Sequence, residues 1–329
     1  VSPDGQHATK DLPKSELLTV NGSPLLSLGP AELPSPVKVA DLITSHPRLA
    51  EPVIDGLLRR GETMNIIAPP KAGKSWLGYD LALSVAVGGR WLNRFSCTQG
   101  RVLIADNELH AATMAHRIPI VAEKIGLELC DYESQLDVLS LRGQLVDLHS
   151  LGPIIDRLEQ GEYSLVLADA WYRFLPQGIS ENDNAQIMGL YNLLDNYAAK
   201  LNAAWVNIHH ASKGAQGEKS VTDVGAGAGA QSRAADTHVV LRAHEEEDAS
   251  VLEAAVRSLA PVDPLPLRWS FPIWSTAIDL DPTAIRGRKT KSEERQADRD
   301  RAGFDAICTA LRDGPARPNE VARKAGGMN

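Results

Sequence analysis

Short apolar runs alternate with longer stretches of helical spacing through the middle of the chain. Thr63-Met64-Asn65-Ile66-Ile67-Ala68 is a short run that suits a buried strand, and Leu77, Leu81, Leu83, Val85 and Ala86 then suit a helix. The alternation continues. Residues 101–105, 136–141, 163–168 and 203–208 predict strands, while 110–125, 148–158 and 183–201 predict helices. In the last of these, Ile187, Leu190, Tyr191, Leu194 and Tyr197 recur at helical spacing. Strand and helix in turn argue for an α/β fold: a mostly parallel sheet with helices on both faces.

The texture changes on either side of this region. Residues 1–35 are rich in Pro, Ser, Gly and Lys and are expected to be mobile, with a short helix at 37–45 after them. Residues 211–235 are rich in Gly, Ala, Ser and Lys around Gly225-Ala226-Gly227-Ala228-Gly229, a long loop of the kind that is usually functional or mobile. Runs at 237–241, 251–259 and 267–274 then predict antiparallel strands added at the sheet edge. Residues 286–302 read as a charged linker. Within 303–329, two short helices could pack through Phe304, Ile307, Leu311 and Val321, like the first two helices of a helix-turn-helix or winged-helix unit. The expected organisation is a mobile segment at 1–35, a core at 36–285, a linker at 286–302 and a helical pair at 303–329.

Composition narrows the class. The chain has 329 residues with 43% hydrophobic content, enough for a sizeable core, and a net charge of −8. The whole protein is therefore no basic nucleic-acid binder, although a local channel remains compatible with that charge. No apolar run approaches the roughly 18 residues of a membrane span. Cys97, Cys130 and Cys308 form no C-x-x-C pair, and the polar opening lacks a signal peptide's apolar region. A reduced, cytoplasmic setting without membrane association is expected. Residue 1 is Val, so the original start is expected to be missing or removed.

The candidate chemistry begins after the first core strand. Ala68-Pro69-Pro70-Lys71-Ala72-Gly73-Lys74-Ser75 fits the phosphate-binding loop G-x-x-x-x-G-K-S/T, with Ala68 in place of the first glycine. Strand, loop and helix follow in the order that motif needs. Pro69, Pro70, Lys71, Ala72, Gly73, Lys74, Ser75 and Trp76 form the expected ATP-binding loop, where backbone N–H groups of the loop and helix start would cradle the phosphates. Lys74 would reach the β- and γ-phosphates, and Ser75 would hold Mg²⁺. Asp169, at the tip of the 163–168 strand, would share that Mg²⁺ shell. Asp106-Asn107-Glu108 lies at the tip of the 101–105 strand. Glu108 is the favoured base for the attacking water; Asp106 is the alternative, and either could instead cap the next helix. His209 and His210 end another strand and must point to opposite faces, so one of them could contact the γ-phosphate.

The order Pro-Pro-Lys-Ala-Gly-Lys-Ser, Ala-Asp-Asn-Glu-Leu, Leu-Ala-Asp-Ala, Ile-His-His-Ala-Ser-Lys-Gly and Ser-Arg-Ala-Ala-Asp-Thr-His resembles the RecA-like ATPases. Within them it looks most like the RepA-like hexameric replicative helicases of plasmids, phages and mobile elements, over about residues 48–275. The resemblance implies a hexameric ring of RecA-like P-loop cores, holding ATP between neighbours. By position, Lys74 and Ser75 match the nucleotide and Mg²⁺ residues, Glu108 the base and Asp169 the Walker B acid. His209 or His210 matches the γ-phosphate sensor. Arg257, or alternatively Arg233, matches an arginine finger offered to the neighbour's ATP. Two features depart from the pattern: Ala68, and a single Asp169 where some relatives carry two acids. The reading is an ATPase motor acting on single-stranded DNA, with Lys213 and Lys219 meeting its phosphates. The alternative is a regulatory ATP switch that binds DNA or a protein without unwinding.

Overall fold

The computed structural model describes residues 35–144, 146–211, 219–224, 231 and 233–287, with 299, 301–305, 307–309, 311–312 and 321 towards the C-terminus and the strand pair at 19–20 and 23–24. The chain divides into two compact units, Val1–Leu49 and Ala50–Asn329. In the first, β1 (Thr19–Val20) pairs antiparallel with β2 (Ser23–Pro24), and α1 (Val39–Ser45) buries none of its residues.

The second unit opens with the hairpin β3 (Pro52–Ile54) and β4 (Leu58–Arg59), followed by β5 (Thr63–Ala68) and α2 (Lys74–Val87). A small hairpin, β6 (Arg90–Trp91) and β7 (Phe95–Ser96), leads to β8 (Val102–Asp106), α3 (Ala111–Lys124), α4 (Leu129–Tyr132) and β9 (Leu136–Ser140). Then come α5 (Gly152–Ile155), β10 (Leu165–Asp169), α6 (Trp171–Phe174), α7 (Asn184–Leu201) and β11 (Ala204–His210). The last strands are β12 (Thr237–Ala243), β13 (Ala249–Val256), β14 (Val262–Ser270) and β15 (Ile273–Thr276).

Nine of these strands form one sheet in the order β9-β8-β10-β11-β5-β12-β13-β14-β15. The six from β9 to β12 are parallel, and β13 to β15 are antiparallel. Alternate residues of the central strands feed two separate cores, as the two-residue period of a strand requires. Ile104, Leu165, Leu167, Val206 and Ile208 pack with α2 and α3 on one face. Leu103, Ala105, Val166, Ala168 and Trp205 pack with α5, α6 and α7 on the other. This is the RecA-like arrangement, with helices on both faces of a mostly parallel sheet.

Three expectations need correction. The 148–158 helix is only Gly152–Ile155: the Leu148 N–H donates to Phe174 O at 2.8 Å, outside any helix, and Pro153 cannot extend the turn backwards. The strand at 237–241 is not antiparallel to the core, because β12 lies parallel to β5 and only then turns into the antiparallel set. The run at 267–274 is two strands, because Phe271-Pro272 makes the turn between β14 and β15. Phe304, Ile307 and Leu311 are exposed among the described residues. The rest of the second helix of the expected helical pair, apart from Val321, lies outside the described residues.

The loop after β11 is partly docked. Val224 is buried against Ile67 and Val240, and Arg242 donates to the Lys219 carbonyl at 2.6 Å. Lys213 and Gly225-Ala226-Gly227-Ala228-Gly229 lie outside the described residues.

One core residue sets a pH-dependent stability. Asp80 lies in α2, which is buried nearly all round, and is 4% exposed. Burial pushes its carboxyl up to about 7, opposed by a hydrogen bond from the Leu92 backbone. The folded protein therefore holds a proton that the unfolded chain releases near pH 4. The resulting stability is fully present below that pH and is lost as pH rises towards 7. Asp80→Asn should be more stable than the wild type at pH 8, by up to about 4 kcal/mol, with the gap closing towards pH 4. Urea midpoints across that range check this; a pH-independent gap would contradict the buried proton.

Candidate functional site

Parallel register places the chemistry at adjacent strand ends. Asp106 of β8 lies opposite Asp169 of β10, and Ala68 of β5 lies opposite His210 of β11. Ligand sites of open α/β sheets form at such carboxyl ends. Here a cavity of about 410 Å³ lies over them, lined by Gly73, Lys74, Ser75, Glu108, Asp169 and His210. Its further wall includes Arg117, Asp248, Ser250, Trp269 and Trp274.

The loop from Pro69 to Trp76 is shaped by backbone geometry. Lys71 (φ 62°) and Gly73 (φ 71°) take the left-handed conformation. Ala68 is the last, fully buried residue of β5, in ordinary strand pairing. That explains how alanine replaces the motif's first glycine: the position does not use a left-handed turn. Gly73 is the N-cap of α2 and no side chain caps that helix end, which leaves its first N–H groups for an anion. Lys74 Nζ curls onto its own loop, donating to Pro69 O at 2.9 Å and Ala68 O at 3.3 Å. Burial pulls its pKa down, while Asp169 and Glu108 hold it up.

Asp169 is fully buried. Burial first, then the Asp106 charge, pushes its carboxyl up to about 7, and a hydrogen bond from Ser75 opposes the rise. Ser75 and Asp169 thus place a hydroxyl and a carboxylate together beside a carboxylate-rich wall. That donor set fits Mg²⁺, which takes one or two protein oxygens and completes its shell with phosphates and water. Among the described residues no group of three or more His, Cys, Asp or Glu has the spacing of a metal site.

Asp106 and Glu108 divide their work. The Asp106 carboxylate accepts the Glu108 N–H at 2.8 Å and the Leu109 N–H at 2.7 Å, and Tyr79 Oη at 3.4 Å. Asp106 is thereby committed to holding the turn, while Glu108 lines the cavity. Arg142 donates to the Glu108 carbonyl, and Arg173 to the Asn107 carbonyl at 3.2 Å. The backbone at Glu108 is clamped from both sides.

The two histidines separate as strand alternation requires. His210 lines the cavity, edge-on to Tyr172 at 5.3 Å; burial and then Lys74 lower its pKa. His209 faces the opposite core, stacked on Trp171 at 5.2 Å and 3.1 Å from Tyr191 Oη. Arg257 and Arg233 are not brought to this cavity. Arg257 donates to the Arg233 carbonyl and lies 3.8 Å from Asp236, beside Thr237, where β12 begins. Because Thr237 pairs with Met64 near the start of β5, the two arginines sit at the opposite end of the strands from the loop.

Sequence reasoning missed Arg117, Arg142, Arg173, Asp248, Trp269 and Trp274. Phe271-Pro272 was a legible turn signal that would have folded both tryptophans back. The arginines carried no local signal, because each acts across a distance in the chain.

This fold and cavity define a P-loop ATPase of RecA-like fold, a nucleotide-hydrolysing class. The chain belongs to the AAA domain family, whose model matches residues 29–216. The crystal structure of the RadB recombinase is similar at a TM-score of 0.49 and 15% identity, covering 68% of this chain and 93% of that one. No curated protein sequence matches the chain. Among the described residues no helix is long and apolar enough to cross a membrane.

Gly73→Ala tests the loop geometry. A Cβ there would stand 3.0 Å from Trp269 Cζ3, on a left-handed backbone. The left-handed strain alone costs about 1–2 kcal/mol, so ATP should bind roughly tenfold more weakly by calorimetry, with an unchanged circular dichroism spectrum. Wild-type affinity would show that the loop does not need this geometry to bind.

Proposed function

We propose that the chain is a Mg²⁺-dependent ATPase motor acting on DNA. Its finer assignment is a replicative helicase or replication-initiation ATPase of the RepA-like group, working as a homo-oligomeric, hexameric ring. The observation that carries the ATPase chemistry is the convergence of Lys74, Ser75, Glu108, Asp169 and His210 on one cavity. The DNA assignment is supported by the order of motifs along the chain, above all Ile-His-His-Ala-Ser-Lys-Gly leading into the Gly-Ala segment.

In this reading Lys74 and the loop N–H groups bind the phosphates, with Ser75 and Asp169 holding Mg²⁺. Bound Mg²⁺ supplies neutralisation of phosphate charge. Glu108 accepts a proton from the attacking water, its position fixed by Asp106 and Arg142. His210, kept neutral by burial and by Lys74, contacts the terminal phosphate. Arg257 is the finger offered to a neighbouring subunit, with Arg233 the alternative. For Arg257 to act so, it must leave its own Arg233 carbonyl and Asp236. That tie favours a second reading, a regulatory ATP-dependent switch that binds DNA or a protein partner without unwinding.

Lys74→Ala should abolish ATP turnover with the fold intact. Glu108→Gln should keep ATP binding but stall hydrolysis, because the amide accepts no proton from water. Wild-type turnover in Glu108→Gln would remove Glu108 as the base.

The motor assignment is tested by ATPase rate with and without single-stranded DNA, alongside particle mass and strand displacement. Stimulation by DNA, a ring-sized particle and displaced strand are expected. DNA binding without displacement would favour the switch, and absence of any DNA effect would overturn the DNA assignment.

A further inference from the structure

Three indole N–H groups are buried without a partner among the described residues: those of Trp91, Trp171 and Trp274. Of these, Trp274 lines the cavity over the phosphate loop. Its side chain is 6% exposed, and its Nε1 lies 3.1 Å from where a Cβ on Gly73 would stand. A buried donor without an acceptor is costly and calls for an explanation. Beside a loop built to hold an anion, a ligand oxygen is the natural acceptor.

The neighbouring aromatic rings are not equally available. Trp76 already has the Arg117 guanidinium 4.8 Å from its centroid and the edge of Phe271 at 5.1 Å. Trp269 is only partly buried and meets Trp274 at 5.2 Å with a 55° tilt, so the two rings make a corner rather than a closed stack. A planar group entering that corner can lie on Trp269 while its attached chain passes Trp274 towards Gly73. Asp248 and Ser250, on the same wall, offer polar groups for sugar hydroxyls. The cavity, about 410 Å³, is within the usual size for a small-molecule site.

We propose that the β14–β15 hairpin is the nucleoside-recognition element of this site: Trp269 carries the base, and Trp274 Nε1–H donates to a sugar oxygen of the bound nucleotide. The inference rests on the phosphate-loop reading above and deepens it. The loop alone would grip any polyphosphate. The hairpin makes the site prefer a nucleoside triphosphate.

The test compares ATP with inorganic tripolyphosphate, each with Mg²⁺, by calorimetry on the full chain. Base stacking on an aromatic is worth enough that the wild type should prefer ATP by roughly ten- to a hundredfold. Trp274→Phe, which keeps the ring and removes the donor, should lose part of that preference. Trp269→Leu should lose most of it, and Trp269→Tyr should restore it. Tripolyphosphate affinity should stay at the wild-type value in all three, with thermal melting confirming the fold. Equal weakening of both ligands would mean that the hairpin only buttresses the loop, and would overturn the proposal. So would a wild type that binds the two ligands alike. A wild type that binds neither overturns the phosphate-loop reading itself and this proposal with it.

Discussion

One buried cation set against three carboxylates organises this molecule. Lys74 is held between loop carbonyls with Asp169 and Glu108 near it, and Asp106 stands beside Asp169 at the neighbouring strand end. Buried charges of one sign cannot gather without a counter-charge. Here the imbalance is met in two ways. Asp169 is driven towards its protonated form, and Asp106 is satisfied by backbone N–H groups. The sheet supplies the rest, because parallel pairing brings Asp106 level with Asp169 and Ala68 level with His210.

The same constraint explains why two acids two residues apart take different parts. Asp106 ends β8 with no exposure, and its carboxylate turns inward to the N–H groups that follow. Once it is spent on the turn, the chain at Glu108 emerges at the cavity with its carbonyl held by Arg142. An interchange of the two residues would leave a longer side chain to make the turn, where its oxygens no longer meet the N–H groups.

Much of this was legible in the sequence. Gly73-Lys74-Ser75 after a six-residue apolar run gave the loop and its flanking strand and helix, and the apolar run ending at Asp169 gave the second acid. Strand periodicity was enough to separate His209 from His210, though it left open which one faces the cavity. What was not legible is non-local. Pairing β12 with β5 is a choice of sheet neighbour that no property of residues 237–243 records. Arg142 and Arg173 act on carbonyls 34 and 66 residues away, so their roles exist only after folding. The Trp269–Trp274 corner depended on reading Phe271-Pro272 as a turn rather than as part of one strand.

The histidine pair shows how a core can hold a site in place. His209 is anchored through Tyr191, whose hydroxyl also donates to Asn65 Oδ1 at 2.9 Å, and Asn207 reaches the same oxygen at 3.3 Å. Asn65 Nδ2 lies 3.5 Å from His238 Nδ1, and His238 Nε2 lies 3.1 Å from the Gln231 carbonyl. This buried polar row therefore ties β11 to β5 and β12 and ends at residue 231, just past the Gly-Ala segment. Burial and the neighbouring His238 and His210 keep His209 well below its ordinary pKa, so its ring stays uncharged. Such a network specifies register more firmly than apolar contacts do, since a slip would strand several polar groups at once. His210 is the next residue along the same backbone. Its place over the cavity is fixed by what His209 bonds beneath the sheet, and His210 cannot shift along the strand without disturbing that row.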